Sequence, residues 1–80
     1  MVRYTQHARD RMAEYAIDAA WVDRAINQPD WTAPDPRPGI IRAFRTIPER
    51  GGRVLRVAYR FDGADVLVLS AHFDRGARRP

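Results

Sequence analysis

In the stretch "VRYTQHARDRMAEYAID", His7 and Arg11 stand four residues apart, the spacing that brings two side chains together on one helix face. An imidazole exchanges a proton near neutral pH, and a neighbouring guanidinium can stabilise a pentavalent phosphate. Cleavage of RNA through its 2′-OH needs that combination: one group to move a proton and cations to absorb developing negative charge. Taken alone, the pair also fits the wet face of an amphipathic helix, with His7 as a cap or packing residue.

A second set of cations lies further along. In "RVLRVAYRF", Arg56 and Arg60 fall on one side of a strand, about 13 Å apart, a distance that suits contacts to separate phosphates of an RNA strand. No acid interrupts that segment. Arg42 and Arg45 in "IIRAFRTIP", Arg53 at the start of the next segment and Arg75 in the tail extend the basic surface. The catalytic candidates are therefore His7, Arg11, Arg45 and Arg56, and the RNA-binding candidates are Arg42, Arg53, Arg60 and Arg75. A solvated sheet face, with arginine stems covering apolar surface, is the competing reading. His72, between Ala71 and Phe73, reads as a satisfied, half-buried residue. His7 and His72 lack the third ligand of a catalytic zinc, so no metal and no cofactor is expected. The chain carries no glycine-rich phosphate loop, no Ser/His/Asp arrangement and no pair of inward carboxylates.

Composition sets the scale for these residues. Eighty residues form one domain with one modest core. With 45% hydrophobic and 30% charged residues, the mixture is that of a globular rather than a disordered chain. The absence of cysteine removes disulfides and thiolate metal sites, and is compatible with a reducing cytoplasm. No apolar run approaches the roughly 18 residues of a membrane span, so a cytoplasmic protein is expected. All 14 basic residues are arginine, which a GC-rich genome alone can produce. Their distribution says more. Residues 1–35 hold four arginines against six acids, a net of −2, whereas residues 36–80 hold ten against four, a net of +6. A basic half of this kind is the electrostatic footprint of a polyanion binder.

The elements that must position these residues are legible from spacing. Val2–Tyr4 reads as a short strand and Thr5 as the N-cap of a helix from about Gln6 to Tyr15. Ala8, Met12 and Tyr15 give it an apolar stripe. Ile17 lies in the joint, and Asp18 caps a second helix to about Asn27. Its inward residues are Ala19, Val22 and Ile26, with Trp21 and Ala25 widening the stripe. "PDWTAPDPRPG" (29–39) carries four prolines and reads as an extended connector, neither strand nor helix, with Trp31 as the core plug that pins it. The period then changes to two. "IIRAFRTIP" is a strand, "ERGG" a hairpin turn, and "RVLRVAYRF" a strand with Leu55, Val57, Tyr59 and Phe61 on its apolar face. "DGAD" turns again, and "VLVLSAHF" reads as a central strand covered on both faces. The tail "DRGARRP" is basic and loosely ordered.

These elements predict a single α+β domain over residues 1–80. A strand and helical hairpin occupy 2–27, a Pro-rich connector 28–39, antiparallel strands 40–73 and the basic tail 74–80. Packing both helices on one face of a small twisted antiparallel sheet, in the order β-α-α-β-β-β, buries both stripes. The other face then carries Arg56 and Arg60, joined by either Arg42 or Arg45, which lie on opposite faces of their strand.

"HARDRMAEYAID" is similar to the His-Ala-x-x-Arg-Met-x-x-Arg-Gly-Ile opening of a widespread uncharacterised bacterial family. In that family a two-helix opening precedes an arginine-rich sheet, as "RAFR", "VLRVAYR" and "VLVLSAHF" do here, over about residues 4 to 73. The family resembles the RelE/ParE-type toxins and the wider metal-independent ribonucleases that include barnase-like and colicin-like domains. The resemblance implies a RelE-like fold and a toxin-like, metal-independent endoribonuclease of a toxin–antitoxin type system. Its substrate would be RNA, ribosome-associated mRNA included, and its partner a neutralising antitoxin encoded nearby. By the same resemblance His7 and Arg11 match the N-terminal pair, and Arg45 and Arg56 the strand arginines. The sequence departs at Tyr15-Ala16, where the family has Arg-Gly. The departure removes one charge and the residue that most easily takes a left-handed helix end. His72-Phe73 matches no catalytic position. The alternative is a non-catalytic RNA- or protein-binding module using the same arginine-rich face, and the ParE side also allows a gyrase-directed toxin.

Overall fold

A computed structural model describes residues Met1–Pro80. Its elements are β1 (Val2–Tyr4), α1 (Gln6–Glu14), α2 (Ala19–Asn27), β2 (Trp31–Pro34), β3 (Ile41–Ile47), a 3₁₀ turn (Pro48–Arg50), β4 (Arg53–Asp62) and β5 (Asp65–Phe73). The five strands form one sheet in the order β1-β5-β4-β3-β2. Both helices pack on one face of it, α1 against β5 and β1, α2 against β4 and β3. The chain is thus an α+β domain. No helix is long and apolar enough to cross a membrane.

The core lies between helices and sheet. Ala8, Ile17, Val22 and Ala25 meet Ala43, Ile47, Leu55, Val57, Tyr59, Val68 and Ala71, with Met12, Trp21 and Ile26 packed at its margin. Phe61, expected in this face, is instead 64% exposed. It sits near the β4–β5 turn, where its ring lies in a T-shaped arrangement with Tyr59, centroids 5.8 Å apart. Tyr15 likewise leaves the α1 stripe and is 41% exposed, because the helix ends at Glu14 and the chain turns away at Ala16.

Four further features differ from the sequence expectation. The connector contains a strand: β2 pairs antiparallel with β3, Trp31 opposite Phe44 and Pro34 opposite Ile41. It is an edge strand, and its proline stands at its end, where no inward N–H is required. Trp31 does pin this segment, but on the face away from the helices, its ring stacked on Phe44 with centroids 4.7 Å apart. The sheet is mixed rather than antiparallel, since β1 runs parallel to β5. The tail is also tied down, with Arg79 reaching Asp30 at 3.6 Å and lying over the Trp31 ring.

The most consequential difference is in β5, which is buried only at Val68 and Ala71 rather than along both faces. Strict alternation would put Val66, Val68, Ser70 and His72 on one side. The register instead pairs Tyr59 with Val68 and Ala58 with Ser70, so Leu69 is an extra residue, a β-bulge. The bulge inverts the alternation beyond it: Val68 and Ala71 both enter the core, and Ser70 and His72 face away. Thr5 secures this point. Its backbone N–H donates to Val68 O at 3.0 Å. Its hydroxyl donates to Leu69 O at 3.1 Å and accepts from Ala8 N at 3.1 Å. One side chain therefore caps α1 and fastens the helix start to the bulge.

The other end of α1 explains the Tyr15-Ala16 departure. Ala16 takes the left-handed conformation, φ 52°. Ile17 N–H donates to Met12 O at 2.8 Å and Ala16 N–H to Ala13 O at 3.3 Å, the paired bonds of a Schellman end. Arg50 donates to the Tyr15 and Ala16 carbonyls at 2.9 and 3.3 Å. The left-handed end is retained without its glycine, at a cost of about 1–2 kcal/mol.

Two stability measurements follow from these ends of α1. Ala16→Gly should raise stability by about 0.5–1 kcal/mol after the entropic penalty of glycine, a Tm gain of roughly 3–6 °C by calorimetry. Thr5→Val, which keeps the shape and removes both hydroxyl bonds, should lower it by about 1–2 kcal/mol in urea unfolding.

Candidate functional site

Because β1 stops at Tyr4 while β5 continues to Phe73, the outer edge of β5 beyond the bulge has no strand beside it. Helix α1 runs along that edge. Side chains spaced four apart on it, His7, Arg11 and Tyr15, project over the strand. Together with Ser70, His72 and Phe73 of β5, and with Arg50, Arg53 and Arg75, they line a cleft of about 470 Å³. Two histidines and four arginines surround this space, and no carboxylate does.

Each cation is held differently. Arg50 rides on the 3₁₀ turn, which Arg24 of α2 clamps through a two-pronged contact with Glu49 at 3.0 and 2.8 Å. The Arg24 hydrogen bonds hold the Glu49 carboxyl down to about 2. Arg50 itself is engaged by the α1 carbonyls and lies 4.9 Å over the Phe73 ring. Arg11 touches Glu14 at 2.9 Å in an exposed pair of adjacent helix turns, a contact of small energy that leaves it free to turn. Arg53 and Arg75 make no ion pair, so unneutralised charge enters the cleft from the start of β4 and from the segment after β5. His7 is exposed on α1.

The remaining sequence candidates lie elsewhere, and acids neutralise them. Arg42, not Arg45, shares the open face with Arg56, in register with Ala58. It bonds Asp35 at 2.9 Å, as does Arg37, and those hydrogen bonds, Arg37 first, hold the Asp35 carboxyl far below the usual range. Arg45 is on the helix side, donating to Gln28 O at the end of α2 at 2.8 Å and pairing Asp30 at 3.6 Å. Arg60 shares Asp62 with Arg3. Arg56 contacts Asp74 at 3.2 Å and stands behind the cleft wall, its Nη2 2.8 Å from His72 Nε2. The absence of acids within "RVLRVAYRF" thus left only Arg53 unpaired, because Asp62 just beyond the segment and Asp74 after β5 take Arg60 and Arg56.

Of the candidates, then, His7, Arg11, Arg53 and Arg75 converge, Arg56 supports them from behind, and Arg42, Arg45 and Arg60 do not take part. Sequence reasoning missed Arg50, Tyr15 and Ser70, and read His72 only as a packing residue. Arg50 was hidden inside a turn motif. The signal for Ser70 and His72 is the small and polar pair that interrupts the apolar run of β5, where a bulge can reverse the faces.

Burial pushes the His72 imidazole below its ordinary value, and the Arg56 cation pushes it further, against the opposing effect of Asp74. The ring is therefore neutral at neutral pH, and the fold takes its shape around the neutral form.

The fold and cleft define a small α+β domain with a cationic, histidine-bearing groove between its first helix and the edge of its sheet. The chain belongs to the family described as a domain of unknown function, DUF4258, which matches residues 4–72 and so spans both helices, strands β2 to β4, nearly all of β5 and most of the cleft. No curated protein and no solved structure gives a significant match to the chain.

The histidine makes a signed prediction. Since the folded His72 binds its proton less readily than the unfolded one, its contribution to stability is complete above about pH 6.5 and falls as the pH drops through the unfolded value. A ¹H–¹³C titration should give His72 a midpoint below 6.5. The wild type should also lose stability relative to His72→Gln between pH 7 and 5. A midpoint above 6.5 contradicts this account.

Proposed function

We propose that this protein is a toxin-like, metal-independent endoribonuclease of a toxin–antitoxin type system. The observation that carries the reading is the cleft itself: His7, Arg11, Arg53 and Arg75 lie together around a space with no carboxylate in its wall. The opening resemblance to RelE/ParE-type toxins points the same way.

In this reading Arg53 and Arg75 bind the scissile phosphate. His7 takes the proton of the 2′-OH as that oxygen attacks phosphorus. The P–O5′ bond breaks, leaving a 2′,3′-cyclic phosphate, and the 5′-oxygen is protonated by His7 in return or by water. Arg11, one helix turn from His7, stabilises the charge that builds on the equatorial oxygens. Arg45 and Arg56 leave the catalytic set of the sequence reading and Arg53 and Arg75 enter it, because ion pairs hold the first two away from the groove. The exposed Tyr15 ring at the rim offers a stacking surface for an unpaired base. The cellular setting, with RNA or ribosome as target and an antitoxin as partner, rests on the resemblance.

The test is RNA cleavage by the purified protein in EDTA, with and without ribosomes. His7→Gln should lower the rate about 10²–10⁴-fold with RNA affinity largely kept. Arg53→Ala with Arg75→Ala should weaken binding and flatten its salt dependence by about two phosphate contacts. Salt-sensitive RNA binding with no turnover in any of these conditions overturns the nuclease and leaves the binding module.

A further inference from the structure

Arg56 and His72 face each other in register across β4 and β5. Arg56 Nη2 lies 2.8 Å from His72 Nε2. A guanidinium carries donors and no acceptor, so Nε2 must be the acceptor. The ring is then neutral and its one proton sits on Nδ1. Arg56 is not free to swing away. Its Nη1 contacts Asp74 Oδ2 at 3.2 Å. Asp74 is itself fixed, its Oδ1 accepting from Gly76 N at 2.9 Å and its backbone N–H donating to Val54 O at 2.9 Å. His72 Nδ1, by contrast, meets no protein partner. The only side-chain polar atom both buried and unpartnered in the molecule is Nε of Arg45, so Nδ1 retains access to open space, and His72 lines the cleft.

We propose that His72 is a fixed, neutral hydrogen-bond donor to a phosphate oxygen bound in the cleft, and that Arg56 is the positioning residue that holds its tautomer. The proposal rests on the reading that the cleft receives a phosphate, and adds how one of its oxygens is recognised. Arg11, Arg53 and Arg75 supply charge, but their long side chains fix direction poorly. An imidazole N–H on a strand, its ring locked from behind, supplies direction without a further charge. The two histidines divide the work, His7 as the proton carrier on the helix and His72 as the donor on the sheet.

Nitrogen-15 NMR of the full chain, with inorganic phosphate and then a short oligodeoxyuridylate as probes, tests this directly. Neither probe can be cleaved through a 2′-OH. At neutral pH His72 should show a protonated Nδ1 and an unprotonated Nε2, and the Nδ1 signal should move on saturation with phosphate. His72→Leu should weaken oligonucleotide binding about tenfold, and His72→Asn, which keeps an N–H at the δ position, should restore part of it. Arg56→Met should give a mixture of tautomers, and serves alone if His72→Leu fails to fold. A protonated Nε2 in the wild type overturns the proposal, and so does an Nδ1 signal unmoved while the Arg53 and Arg75 guanidinium signals respond. If Nδ1 responds to phosphate but no RNA is ever cleaved, the nuclease reading falls and this assignment stands. If neither probe binds, both fall.

Discussion

The junction of Thr5 with the β5 bulge is the constraint on which the remainder of the structure depends. An extra residue at Leu69 leaves one carbonyl without its ladder partner, and a buried carbonyl without a partner is costly. The Thr5 hydroxyl satisfies it at 3.1 Å while capping α1. This one connection decides where α1 starts and that it lies along the edge of β5. It also decides that the residues after the bulge reverse their faces. Ala71 enters the core in consequence, and Ser70 and His72 turn toward the groove.

Charge is arranged around that junction in two regimes. Over most of the sheet, arginines are neutralised by acids: Arg42 by Asp35, Arg45 by Asp30 and Arg56 by Asp74 from other segments, and Arg60 by Asp62 two residues on. These pairs fasten the edge strand β2, the end of α2 and the turn after β5, so they hold the frame. Around the cleft the rule changes. Arg53 and Arg75 have no acidic partner, and Arg50 spends its donors on backbone carbonyls. A protein that pairs its arginines wherever acids are within reach, yet leaves a concave group of them open, concentrates positive potential in one place. His7 and His72 stand within that potential, and for His72 burial and the Arg56 cation together disfavour the protonated form.

The helices, their caps and the β3–β4 hairpin were legible in the sequence because local rules govern them. Thr5 and Asp18 cap as their positions require, with the Thr5 and Asp18 oxygens accepting from Ala8 and Ala20 N–H. The two glycines of "ERGG" take the positive φ that the turn demands. Within the site, His7 and Arg11 were legible for the same reason, since i and i+4 share a face on any helix. The Pro-rich connector was misread because its pairing with β3 is long-range and its prolines mask a four-residue edge strand.

By itself, then, the sequence determined the α+β class, the two capped helices, the apolar stripes and the concentration of positive charge in the second half of the chain. These follow from periodicity and capping, which act over a few residues. Only the tertiary structure decided which arginines are spent on ion pairs and which stay free, because acids such as Asp30 and Asp74 reach Arg45 and Arg56 from other segments. It also decided that β1 runs parallel to β5 and stops early, opening the edge that becomes the cleft. Above all it decided the direction of His72, since one extra residue in a strand reverses every side chain beyond it and leaves no mark on composition or period strong enough to read in advance.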